Sequence, residues 1–197
     1  MFFMETIYQP QLAPPGAGLP APELLIARLL FALKRATGNR KSFTAQFQKE
    51  RQAIALLVQG LSPHRASPRV LIPRVRGLED SSRYWSVWMT LDHLRIVHGS
   101  IQGVVSALAK GNVPPGEAST ATVKPSPNVT DGVVAAYEKS CDDLLHTMDS
   151  IPDLKTEASY AHPWFGPLNA AGWHALSAMH IAIHRKQIQS IIAGLGA

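Results

Sequence analysis

The stretch AAGWHALSAMHIAIHRKQIQSIIA, residues 170–193, decides the fold class. Trp173, Leu176, His180, His184, Ile188 and Ile191 recur at three- and four-residue spacing, the period of one helix face, and Gly194 supplies a stop. Four residues separate His180 from His184, so both imidazoles leave the same face about one turn apart. That face is the apolar one, which turns two polar rings toward the interior. A divalent cation bound by neutral nitrogen lone pairs offsets the water those rings lose. Such pairs also arise on half-buried faces, hydrogen-bonded to carbonyls or solvent, and periodicity does not choose between the two.

Working upstream, the spacing predicts three further long helices and a short one. Thr130 to Ile151, capped by Thr130 or Asp131, carries Val133, Val134, Tyr137, Cys141, Leu144, Leu145 and Met148 at helical period. A helix from Asp80-Ser81-Ser82 to Gly111 is the longest, and one from Ser42, as N-cap, to Gly60 buries Phe43, Phe47, Ile54 and Leu57. Ala21 to Ala36 is a shorter amphipathic helix with Pro22 at its start. Residues 112–128, rich in Pro, Ser and Thr, are expected as a surface crossing, and no alternating strand stands out. Residues 1–20, with Pro10, Pro14, Pro15 and Pro20, form an irregular arm. The expectation is an all-α four-helix bundle with an extra N-terminal helix and arm, residues 21–197 forming one domain.

Composition narrows the function. A chain of 197 residues with 46% hydrophobic and 17% charged residues is neither disordered nor long enough in any apolar run to span a bilayer. The N-terminus lacks the basic residues of a secretory leader, so a cytoplasmic protein is expected. The single cysteine, Cys141, excludes an intrachain disulfide and a cysteine-based zinc site, leaving His, Asp or Glu for any metal. Several of the cations behind the +5 charge fall in HRASPRVLIPRVRG, residues 64–77. Pro68 and Pro73 and the absence of an aromatic platform make this a solvated loop, and a nucleic-acid role ranks last.

A third ligand must come from another helix. His93 is the best placed, because Met89, Ile96 and Val97, three and four residues away, are apolar. His98 should point elsewhere, Asp92 sits about 100° from His93 around the helix, and Cys141 reads as a small core residue. The segment YWSVWMTLDHLRIV, residues 84–97, with Trp85-Ser86-Val87 and Asp92-His93-Leu94, resembles the second-helix motif of the DinB-like (DinB/YfiT) superfamily. The final His180-Ile-Ala-Ile-His184-Arg185-Lys186-Gln187 is similar to that family's histidine pair followed by Arg-x-Gln, with Lys186 where many members have glycine. His162-Pro163-Trp164-Phe165-Gly166-Pro167-Leu168 resembles an element before the last helix in one uncharacterised subgroup. Together the motifs cover residue 42 onward and leave 1–38 without a counterpart.

The resemblance makes His93 the expected third ligand beside His180 and His184. Three imidazoles leave an ion its charge and an open position, the pattern of a catalytic site, with zinc or nickel first among the metals. It implies a metal-dependent enzyme acting on a small molecule, either a transferase using a low-molecular-weight thiol cofactor or a hydrolase with metal-activated water. It also implies pairing into a homodimer. Two residues join the metal ligands as catalytic candidates. Gln187 either touches a ligand ring or substrate, or caps the polar end of the core; His162 is either an acid/base or substrate contact, or fixes its turn with Pro163 and Pro167. The alternative is a non-catalytic bundle, its metal structural or absent, that binds a ligand or dimerises.

Overall fold

A computed structural model describes residues 9–196, so the first eight residues of the expected arm lie outside the described residues. Four helices form the bundle: α2 (Arg40–Val58), α4 (Val87–Ala109), α5 (Val133–Ser150) and α6 (Ala170–Gly194). α6 packs on α2 and α4, and α4 packs on α5. Arg51 of α2 closes the ring by pairing with Glu138 and Asp142 of α5, each at 2.6 Å. α1 (Ala21–Thr37) lies outside this ring against α6, and α3 (Pro63–Ala66) is a single turn. No helix among the described residues is long and apolar enough to cross a membrane.

The helix starts show how local chemistry refines the pattern. α2 begins at Asn39 rather than Ser42: Asn39 Oδ1 accepts from the Ser42 N–H (3.0 Å) while Ser42 Oγ accepts from the Asn39 N–H (2.9 Å). Ser42 thus completes a reciprocal box from the third helical position. α4 starts at Ser86, whose hydroxyl accepts from the Met89 N–H, and not at Asp80–Ser82, which form a 3₁₀ turn. Tyr84–Trp85 (β2) intervene, paired antiparallel with Val70–Leu71 (β1). α5 starts at Val133, because the Thr130 and Asp131 carbonyls are spent on turn bonds to the Val133 and Val134 N–H groups.

Two short hairpins correct the expectation of no strands. The second pairs Tyr160–His162 (β3) with Gly166–Leu168 (β4) in register Tyr160↔Leu168 and His162↔Gly166. Two or three residues per strand leave no alternation to read. The basic stretch 64–77 is likewise more than a solvated loop. It contains the end of α3 and all of β1, buries Ala66 and Ile72, and ties Arg74 to Glu23.

α4 is the central element, buried without a break from Val87 to Leu94. A helix enclosed on nearly all sides needs no polar face over those turns. Phe47, Ile54, Leu144, Met148 and Ile181 of the other helices join its Leu91 and Leu94 in the fully buried core. The residues between α4 and α5 are irregular as expected, yet they reach inward, and that inward reach builds the site.

Candidate functional site

α4 and α6 bring His93, His180 and His184 together. His180 Nε2 lies 3.2 Å from His93 Nε2 and 3.1 Å from His184 Nε2. Two rings are locked in one tautomer. His93 Nδ1 donates to the Val123 carbonyl at 2.6 Å, and a carbonyl only accepts. His184 Nδ1 donates to Gln187 Oε1 at 2.6 Å, with the amide's orientation fixed by its own donation to the Ser82 carbonyl at 2.7 Å. In neutral rings both Nε2 atoms are then bare lone pairs aimed at His180 Nε2. One proton on His180 Nε2 satisfies one of them at a time; a cation satisfies all three.

The donor set fits a metal. Two imidazole nitrogens 2.0–2.1 Å from one zinc stand about 3.3 Å apart in a tetrahedral arrangement, close to the two spacings seen here. All three rings stay neutral near pH 7. Burial pushes His93 down to about 4, and burial together with the neighbouring imidazoles holds His180 and His184 well below the usual range. Neutral imidazole is the form that ligates, so no proton has to leave first. Val123 and Gln187 supply the outer contacts that orient ligating histidines. His180 has no such partner; its Nδ1 is buried and unbonded.

Trp85 walls the cluster, its ring 5.1 Å from His93 and stacked parallel to His184 at 6.3 Å. On the other side opens a cavity of about 350 Å³. Val97, Ile101, Leu176, Met179 and Ile183 give it an apolar wall from α4 and α6, while Ser119, Thr120, Thr122 and Lys124 come from the crossover. The β3–β4 hairpin contributes His162, Trp164 and Phe165.

His162 is therefore on the cavity, with its tautomer set. The Trp164 N–H donates to His162 Nδ1 at 3.1 Å, so the neutral ring carries its proton on Nε2. Burial lowers its pKa to about 4, and Phe165 stacks on the ring at 5.1 Å. Gln187 is fully buried behind His184 and off the cavity, so it touches a ring and no guest. Asp92 accepts from Arg95 and the Ser126 N–H, away from the triad. His98 points into the α4–α5 seam against Ser140, and Cys141 is buried there, its thiol pushed up to about 12 chiefly by burial.

Sequence reasoning missed Glu79. This 5%-exposed carboxylate accepts from Lys124 Nζ (2.7 Å), Thr120 Oγ1 (2.8 Å), the Gly18 N–H (3.3 Å) and the Gly16 N–H (3.5 Å). Burial alone would raise its pKa; the bonds from Lys124 and Thr120 outweigh that and hold it below the usual carboxylate range. It ties the arm and the crossover to the 3₁₀ turn at the cavity's edge. A lone Glu before Asp-Ser-Ser reads as a helix start, so its partners, 41 to 63 residues away, leave no local signal.

No protein-family model matches the sequence, and no curated protein matches it. Among solved structures the chain is similar to TT2238, a four-helix bundle protein, with a TM-score of 0.55 and 22% sequence identity, covering 77% of this chain and 98% of that one. At that identity the likeness shows the fold alone.

Proposed function

We propose that the chain is a metal-dependent enzyme of the DinB-like kind. In this reading it holds one divalent ion, zinc or nickel, on His93, His180 and His184, and acts on a small molecule lodged in the adjoining cavity. The observation that carries it is the convergence of three Nε2 atoms, two with their lone pairs fixed inward by carbonyl oxygens, beside a cavity of about 350 Å³. A divalent ion there acts as a Lewis acid on whatever donor atom fills its open side.

The chain's own residues then have distinct tasks. Val123 and Gln187 hold the His93 and His184 rings in the ligating tautomer. The apolar wall from α4 and α6 takes the body of the substrate and excludes water. His162 offers an Nε2–H to an acceptor on it and stays neutral, which suits a substrate contact better than a general base at pH 7. Gln187 is a positioning residue in this account, not a catalytic one.

Hydrolysis and thiol transfer are separated by turnover of an uncharged aryl ester and of an alkylating electrophile, with and without added thiol, on metal-stripped and zinc- or nickel-reloaded protein. Metal-dependent turnover without thiol identifies a hydrolase; turnover that also needs thiol identifies a transferase. Equal rates in stripped and reloaded protein sink the catalytic account and leave the ligand-binding bundle.

A further inference from the structure

Among the described residues, the outer face of α1 is apolar and uncovered. Leu25, Ile26, Leu29, Leu30 and Leu33 are between 58% and 64% exposed, on a helix whose opposite side buries Phe31. At about 100° per residue they fill an arc of about 140° centred opposite Phe31. The helix's charges all lie off that arc. Glu23 binds Arg74 and the Gly77 N–H, Arg28 donates to the Trp164 carbonyl, Lys34 donates to Gln46, and Arg35 lies over the Phe31 ring.

We propose that this face is the interface between two copies of the chain, with their α1 helices antiparallel about a two-fold axis through Leu29. The stripe is its own complement. Leu25 and Leu33 flank Leu29 at equal four-residue steps, so a two-fold at Leu29 lays Leu25 of one copy on Leu33 of the other, as an isologous contact requires. Taking about 180 Å² for a fully exposed leucine or isoleucine, the five present about 550 Å² per copy, and the pair clears the roughly 1,000 Å² needed for a specific interface. A patch of that size is at the upper end of what a monomer exposes, where such patches often mark interaction sites. An interfacial membrane helix carries free Lys and Arg beside its apolar stripe; here Arg28 and Lys34 are spent within the chain. Because α1 precedes the residues that carry the family resemblance, the interface is a property of this chain's own extension.

Sedimentation equilibrium of the full chain at tens of micromolar should give the mass of a dimer, and Leu29→Glu/Leu30→Glu should give a monomer with unchanged circular dichroism. These side chains are mostly in solvent, so the substitution leaves the core intact. Leu29→Cys should crosslink to itself under mild oxidation, Cys141 being buried, whereas Leu25→Cys should crosslink efficiently only when mixed with Leu33→Cys. A monomeric wild type, a dimer that survives the double substitution, or a monomer that co-sediments with phosphatidylglycerol vesicles each overturns the proposal.

Discussion

His93 and His98 stand five residues apart on α4, both buried and both pushed by burial far below the usual histidine range, to about 4 and about 3. Their surroundings differ in kind. His93 has one nitrogen fixed by Val123 and the other facing two further imidazoles beside a cavity. His98 is enclosed by Phe47, Tyr137, Ser140 and Cys141, donates or accepts only at Nδ1, and leaves Nε2 unbonded. Burial and a depressed pKa are common to both, so neither marks a site. Converging donor atoms and room for a guest do.

The largest effect that would sharpen this contrast is on metal affinity. Isothermal titration with zinc should find His93→Ala, His180→Ala and His184→Ala each at least about 1,000-fold weaker, or roughly 4 kcal/mol, while His98→Ala stays within about threefold. Equal losses at His93 and His98 would erase the distinction. Urea unfolding of the metal-free protein should show the converse: His98→Ala costs about 2–4 kcal/mol by emptying a packed seam. His180→Ala should cost less, since its ring borders a cavity rather than a packed seam.

Gln187→Ala comes next. Loss of the bond that fixes His184 should weaken zinc about 10–100-fold with the bundle still folded. No change would remove Gln187 from the ligating arrangement.

The effect that separates the two regions least is in pH, since both hold histidines depressed by burial. His98 and His174 titrate at about 3 and about 4 in the folded chain, against 6.5 when unfolded. Between those values the unfolded chain binds the extra protons, so stability is complete above about pH 6.5 and falls with acid by up to about 1.4 kcal/mol per unit for each. Unfolding midpoints from pH 7 to 4 check the sign, and His98→Phe, which removes one of the two buried titrating rings, should shallow the slope.

The two regions were also unequally legible. Helical spacing alone puts His180 and His184 on one apolar face, and it does not choose a metal over carbonyl or solvent partners. His93 needed a motif, because all of Val87 to Leu94 is buried and periodicity loses contrast on an enclosed helix. The composition of residues 112–128 predicts only a surface crossing. Its Val123 carbonyl holds His93, and a backbone carbonyl in an irregular segment has no sequence signature. Glu79 and the locked tautomer of His162 rest on contacts of the same kind, one at long range and one to the backbone N–H of Trp164.

The account turns on whether the triad is a metal centre. X-ray absorption at the zinc edge of tag-free, zinc-loaded protein tests that most directly. It should show one ion per chain with three imidazole nitrogens at about 2.0–2.1 Å, reduced to two in His93→Ala. Failure to bind zinc stoichiometrically at micromolar concentration, or a nitrogen count unchanged in His93→Ala, would contradict it.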